Sequence, residues 1–285
     1  MMTIYEPRGR AAEYSLLGLN LYRGCSGRCF YCYVPVIPGQ PSRELFHAGA
    51  KVRPGVLDHL ARNAEHFRGT NRRVLLSFTS DPYNRTEKKE KVTQMALRLL
   101  RLNNIPFQIL TKHAKLAGRD FDLYRIGDAF AVTLTSLSPV AMAHDEPGTD
   151  GPGVRLEALE RAHSRGIFTW VSLEPVLDPE VSLEIIRRTH DIVDHYKIGT
   201  LNHVDCSTTP KQWRQFAKRA VDLCTAYGRS YYIKTALARL IDFEYKNTDE
   251  RRVGGVAEPA PVVKQNVQAQ GDLFNCGSND DRHRA

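Results

Sequence analysis

The chain has 285 residues, 40 Lys and Arg against 32 Asp and Glu, a formal charge of +8, 42% hydrophobic and 25% charged residues. That balance suits a globular protein long enough to bury a large core without staples. No apolar run reaches the ~18–20 residues of a bilayer span, and the polar first fourteen residues, with Glu6 and Glu13, lack a secretory h-region. A membrane-spanning protein, a fibre and a small disulfide scaffold are therefore excluded, and the expected compartment is the cytoplasm.

Taken in chain order, residues 1–15 read as an N-terminal extension and 16–246 as one alternating strand–helix body. The predicted strands are 16–22, 72–79, 106–112, 129–135, 167–174, 195–201 and 230–234. They are short, nearly continuous β-branched and aromatic runs, as in parallel strands covered on both faces. Between them, Val92, Met95, Ala96, Leu99 and Leu100 mark one helix face in 87–102. Trp213, Phe216, Ala217, Ala220, Val221 and Cys224 mark another in 210–226. Further helices are predicted near 54–67, 153–165 and 180–190, with Pro54, Pro179 and Pro210 at tolerated starts. Repeated strand–helix units imply a parallel α/β sheet, and six or seven units are too few for a closed eight-fold barrel. An open, partial barrel follows, with its ligand at the C-terminal strand ends. Residues 247–285 have no periodicity and form a polar tail, predicted to be disordered or draped on the body. The first 246 residues hold 35 basic and 26 acidic residues, net +9. Such an excess favours an anionic partner, nucleic acid being the commonest.

Six cysteines are present, and three of them form Cys25-Ser-Gly-Arg-Cys29-Phe-Tyr-Cys32 just after the first predicted strand. Three thiolates on one loop can converge on one metal centre. Structural zinc would ask for a fourth ligand from a second pair, and only a solitary His47 follows. An iron–sulfur cube normally takes four cysteines, so three leave one iron open for a small molecule.

The C-x3-C-x2-C spacing with Tyr31 before the last cysteine resembles the signature of the radical S-adenosylmethionine (SAM) superfamily. The wider string from Asn20 to Tyr33, Thr79-Ser80-Asp81-Pro82-Tyr83 with Glu87 following, and Leu110-Thr111-Lys112 resemble its spore photoproduct lyase-like branch, a DNA repair group. The resemblance covers about residues 16–240. It implies a partial (β/α)6 barrel in which Cys25, Cys29 and Cys32 hold a [4Fe–4S] cluster. It also implies SAM as second cofactor, and an external electron donor such as flavodoxin or ferredoxin. One electron would cleave SAM to a 5′-deoxyadenosyl radical that abstracts a substrate hydrogen. For SAM the expected contacts are the Tyr31 backbone, Ser80 and Asp81 after the second strand, Lys112 after the third for the SAM carboxylate, Thr133 and Thr135 on the fourth, and Glu174 after the fifth. Asp81 has a second reading as a cap of its turn, and Glu174 as a helix-entry acid. Tyr83, Glu87, Lys197, His203 and Lys234 are placed at the rim without roles.

The lyases carry a cysteine hydrogen donor not far beyond the cluster, and this chain has no cysteine between Cys32 and Cys206. Cys206, after the sixth strand, is the best-placed thiol for a catalytic hydrogen donor; Cys224 reads as a packed core thiol. Besides nucleic acid, a peptide or a small metabolite stays open as substrate, as does a non-catalytic iron–sulfur or zinc module.

Overall fold

The protein is described here as a computed structural model, which describes residues 3–201 and 208–254. Its strands in chain order are β1 Ile4–Tyr5, β2 Leu17–Leu19, β3 Tyr22–Arg23, β4 Lys51–Val52, β5 Val74–Leu76, β6 Phe107–Thr111, β7 Ala129–Thr133, β8 Phe168–Leu173, β9 His195–Ile198 and β10 Ser230–Ile233. β3 and β4 pair as a separate antiparallel ribbon. The other eight form one sheet in the order β1-β2-β5-β6-β7-β8-β9-β10. β2 and β5 to β10 run parallel, and β1 pairs antiparallel with β2. β1 and β10 stand at opposite ends of the order, so the barrel is incomplete, as expected for this α/β architecture.

All seven predicted strands are present, and each crossover carries helix. Pro152, Pro179 and Pro210 open helices Pro152–His163, Pro179–Thr189 and Pro210–Ala226. At N1 the missing N–H of proline costs no bond. Two predicted elements are broken. The 16–22 run ends at Leu19, because Asn20 turns its side chain to accept from the backbone N–H of Phe78 (2.9 Å) and Thr79 (3.2 Å). The 87–102 helix divides at Lys91, whose φ of 53° is left-handed. There Glu87, fully buried, caps the second segment by accepting from Thr93 N (2.8 Å) and Gln94 N (3.3 Å).

Strand alternation sorts the side chains. Ile109, Phe130, Val132, Val171, Leu173, Tyr196 and Ile198 face outward into the large core under the helices. Leu75, Ala129, Ala131 and Trp170 form a second, inner core, with Tyr14 and Leu110 against it. The small alanines of β7 leave room for the Trp170 indole. The same period carries Lys112, Thr133, Ser172, Glu174 and Lys234 to the inner face at the C-terminal strand ends.

Segments near both ends of the described chain are built into this barrel. Beyond β1, residues 13–14 thread its interior: the carbonyls of Glu13 and Tyr14 each accept from Lys197 Nζ at 3.0 Å. Residues 247–254 drape along β10 and under the barrel. Asn247 pairs its amide with the Ile233 backbone (2.7 and 3.1 Å), Glu250 meets Lys197 Nζ at 2.5 Å, and Arg252 bridges to Arg72. Among the described residues, no helix is long and apolar enough to cross a membrane.

Candidate active site

The C-terminal strand ends surround one cavity of about 290 Å³. Cys25, Cys29 and Cys32 line one end of it, on the loop that leaves β3. That loop is held by backbone contacts. Cys25 N donates to Phe46 O (2.9 Å), Phe30 N to Asp145 O (3.1 Å) and Gly148 N to Gly27 O (3.1 Å). Gly24 has φ +77°, and a Cβ there would stand 2.2 Å from Gly49 O. The sequence puts glycine where two backbones touch. A Cβ on Gly27 would lie 3.5 Å from Cys25 Sγ and 3.6 Å from Cys29 Sγ. This glycine therefore keeps open the space that both sulfurs border.

A buried ion pair fastens the far side of the loop. Glu146 and Arg155 are both fully buried and joined by Arg155 Nη2, and Glu146 also accepts from the Tyr31 hydroxyl. Arg155 reaches on to Thr133 O at 2.7 Å. Burial alone would raise the Glu146 carboxyl, but Lys112 and Arg155 outweigh it and hold it below the usual range. Burial pushes the Cys25 thiol up to about 11 and Cys29 up to about 12, and raises Cys32. Burial would lower Lys112, yet Cys29 and Glu146 prevail, so its ammonium stays charged. It stands 5.4 Å from the Tyr31 ring centroid, and none of the ion pairs of the described residues includes it.

The expected site residues fall as follows. Ser80 lines the cavity and donates to Gly24 O (2.6 Å), tying its turn to the cysteine loop. Asp81 lines it too, but its carboxylate fastens the turn, accepting from Tyr83 N (2.8 Å), Thr111 Oγ1 (2.6 Å) and Lys112 N (2.7 Å). This is the capping geometry. Lys112, Thr133, Glu174 and Tyr31 line the cavity. Thr135 is not among the lining residues; its hydroxyl donates to Glu146 at 3.1 Å. Cys206 and His203 lie outside the described residues. Of the rim candidates among the described residues, only Lys234 faces the cavity. Tyr83 is buried, with its hydroxyl on Asp120 (3.0 Å); Glu87 is a helix cap; Lys197 lies in the barrel floor. Their strand-end positions misled because the side chains turn inward or backward. Cys224 is a fully buried core thiol.

Sequence reasoning missed Tyr14, which the fold joins over long range to Glu174 and Lys234. The Tyr14 hydroxyl donates to Glu174, as does Lys234 Nζ, and Lys234 lies 4.1 Å from the Tyr14 ring centroid. Burial first, then Glu174, raises Tyr14 far above its ordinary value, so it remains a protonated donor. Three further atoms stand out: Ser77 Oγ, Thr79 Oγ1 and His113 Nε2 are buried without a hydrogen-bond partner, and all three residues line the cavity. Buried polar groups are nearly always paired, so these three suit a polar ligand, although ten further buried atoms of the described residues, away from the cavity, Trp170 Nε1 among them, also lack a partner.

A family model described as the radical SAM superfamily matches residues 19–193. The uncharacterized protein Rv2578c of Mycobacterium tuberculosis and its counterpart Mb2609c in Mycobacterium bovis are each 30% identical over 171 residues, 56% of this chain and 49% of theirs. The chain thus spans about half the length of the curated relatives it matches. Among solved structures, a spore photoproduct lyase variant superposes with TM-score 0.65 at 13% identity, over 82% of this chain and 79% of that one. Another variant, with bound AdoMet and dinucleoside spore photoproduct, gives 0.61 at 14%, over 81% and 78%. A radical SAM methyltransferase from Sphaerobacter thermophilus gives 0.55 at 13%, over 76% and 65%. These structural likenesses show the fold.

The family's cofactors are a [4Fe–4S] cluster and SAM, and the residues fit both. Three thiols surround one end of a cavity. Among the described residues, no three His, Cys, Asp or Glu side chains converge as they would on a single ion. That donor set suits a cluster over mononuclear zinc. Beside it, one cation and three orphaned polar atoms suit a ligand that carries an amine, a carboxylate and hydroxyls.

Proposed function

Since the chain belongs to the radical SAM superfamily, we propose that it abstracts a hydrogen atom from a nucleic acid. The substrate is seated in the half of the cavity lined by Arg10, Tyr14, Glu174 and Lys234. Bound at the thiol end, the cluster and SAM supply a 5′-deoxyadenosyl radical at the cost of one electron. The protein's own residues do the rest. Cys25, Cys29 and Cys32 hold the cluster. Lys112 places its charge for the SAM carboxylate. Ser77, Thr79 and His113 offer the unpaired polar atoms. The Glu174–Lys234 pair, with the Tyr14 hydroxyl on the same carboxylate, keeps a fixed polar wall.

The observation that carries the nucleic-acid reading is Arg10. It is exposed at the cavity edge with no ion pair among the described residues, on a body of net +9. A guanidinium in that position suits a phosphate. The fold shared with a lyase solved with a dinucleoside spore photoproduct supports the same class. The test is anaerobic incubation with SAM and dithionite, with and without DNA or RNA oligonucleotides. 5′-Deoxyadenosine should rise with the oligonucleotide, and binding should weaken steeply with salt as counterions are released. Formation unaffected by nucleic acid, together with a flat salt response, overturns this substrate class.

A further inference from the structure

A second cavity among the described residues, of about 280 Å³, lies at the opposite end of the barrel from the thiols. Its walls are the segments that lead into three neighbouring strands: 69–71 before β5, 104–106 before β6 and 125–128 before β7. Arg101, in the last turn of the helix Val92–Leu102, and Val253, on the 247–254 segment, complete it. The thiols stand at the C-terminal ends of the strands, so the two cavities share no residue.

The polar lining consists of donors whose companion acceptors are already taken. The side-chain oxygen of Asn104 accepts from Arg125 Nη1 (3.1 Å) and that of Asn71 from Arg252 Nη1 (3.2 Å), so each amide keeps its NH2 group without a partner among the described residues. Thr70 Oγ1 accepts from Arg72 N (3.2 Å), which leaves its proton to give. Arg101 donates to the Asp122 carbonyl (3.1 Å), and neither Arg101 nor Arg125 has an ion pair among the described residues. The carbonyls at the helix end, which would repel an anion, are occupied by the N–H groups of Asn103, Asn104 and Ile105. The one carboxylate of the lining, Asp128, is spent on the chain. Its oxygens accept from Phe107 N (2.9 Å) and Arg125 N (2.8 Å), and the buried Arg73 guanidinium attracts it. Apolar surface completes the cavity, with Pro106 and Val253 half-buried and Ile126 fully exposed at the rim.

We infer that this cavity binds a small phosphate monoester with an apolar or aromatic body, its phosphate on Arg101 and Arg125. A phosphate monoester carries a charge of about −1.5 to −2 near neutral pH and offers only acceptor oxygens. Two unpaired guanidiniums match that charge, and their planar forks match the oxygens. The amide and hydroxyl donors match what the guanidiniums leave over, and Pro106, Ile126 and Val253 match the ester group. The phosphates of a nucleic acid carry one charge each and run on as a chain, which suits an open track better than a cavity at strand ends. The inference is independent of the radical SAM reading, because no residue is shared with that site. It has a consequence for the fold. Val253 N donates to Asn71 O (2.7 Å), so a ligand here fastens the same segment that carries Glu250 to the barrel floor. A ligand that binds only the folded chain raises its stability.

The test uses the full chain with its cluster, and with SAM present so that the catalytic cavity is filled. Phenyl phosphate and inorganic phosphate are titrated by calorimetry at constant ionic strength. The proteins are wild type, the double variant Arg101→Gln with Arg125→Gln, and Ile126→Glu. Ile126 is fully exposed, so its replacement keeps the packing and reads the site even where the double variant fails to fold. We expect saturable binding to wild type, with phenyl phosphate tighter than phosphate. Affinity should fall about 10- to 100-fold in the double variant, as charge-assisted hydrogen bonds are lost, and severalfold in Ile126→Glu. The urea midpoint of wild type should rise with phenyl phosphate, and that of the double variant should not. Iron content and dithionite-driven SAM cleavage should match wild type in both. No saturable binding of millimolar phenyl phosphate to wild type overturns the site, as do unchanged affinities in both variants. Equal affinity for the two ligands would assign the cavity to free phosphate and overturn the ester. If phenyl phosphate binds none of the proteins while an oligonucleotide loses affinity in the double variant, the face belongs to nucleic acid and the inference fails.

Discussion

At the floor of the barrel, Lys197 and Glu250 pair at 2.5 Å, His195 approaches the same carboxylate at 3.3 Å, and Trp170, Tyr14 and Tyr232 pack round the ammonium at 5.1, 5.1 and 5.8 Å from their centroids. At the mouth, buried polar groups enclose open space, and Ser77, Thr79 and His113 keep atoms without partners. The floor spends its charges on each other, although the Trp170 indole N–H and Gln108 Oε1 there have no hydrogen-bond partner either. The mouth stays incomplete without a ligand, and each orphaned group costs about 1–3 kcal/mol until one arrives. The contrast shows how the two ends divide the work: the stability held in one end carries the incompleteness of the other.

The sharpest way to test the contrast is at the mouth's metal ligands. Cys25→Ala, Cys29→Ala and Cys32→Ala should each abolish the iron chromophore, since no fourth ligand from the described residues compensates. Iron analysis and absorbance of anaerobically reconstituted protein will read this. Full loading in all three would remove the motif from the site. At the floor, Glu250→Ala leaves the Lys197 ammonium buried and uncompensated and should cost about 3–5 kcal/mol in denaturant titration. The double variant Lys197→Met with Glu250→Leu should recover much of that loss.

A pH series sharpens the comparison further. Burial lowers His195 to about 4, outweighing the opposing pull of Glu250. Below its ordinary pKa of 6.5 the unfolded chain takes a proton that the folded one refuses. Stability is therefore full above about pH 6.5 and should fall by about 3 kcal/mol as pH drops towards 4. His195→Asn should flatten this part of the profile, and an unaltered slope would place the titration elsewhere. The smallest expected effect is at the mouth. Lys112→Ala should weaken SAM binding about 10- to 100-fold, the worth of one charge-assisted hydrogen bond, while iron content is unchanged. Equal SAM affinity in variant and wild type would show that the carboxylate is held elsewhere.

How much of this was legible depended on distance along the chain. The seven parallel strands, the cysteine loop and the strand-end position of Lys112 follow from local pattern, because period-2 and period-3.6 signals act over a few residues. The breaks at Asn20 and Lys91 escaped because their causes sit in the partner, Phe78 N–H for one and the Glu87 side chain for the other. Tyr14, the Glu146–Arg155 pair and Glu250 carry no local mark. Each becomes recognisable only when the fold brings it to Glu174, to Tyr31 or to Lys197. Ser77 and His113 are ordinary residues until their lack of partners is seen.

Tyr14 touches both ends at once: its carbonyl receives Lys197 of the floor and its hydroxyl meets Glu174 of the mouth. Glu250 in turn emerges from the ribosome more than two hundred residues after the cysteines. During synthesis the ligands for iron exist long before the residue that neutralises Lys197, and so before the support of the Tyr14 carbonyl is complete. A chain halted early would carry the cysteine motif on a barrel whose base still held a buried, unmatched cation.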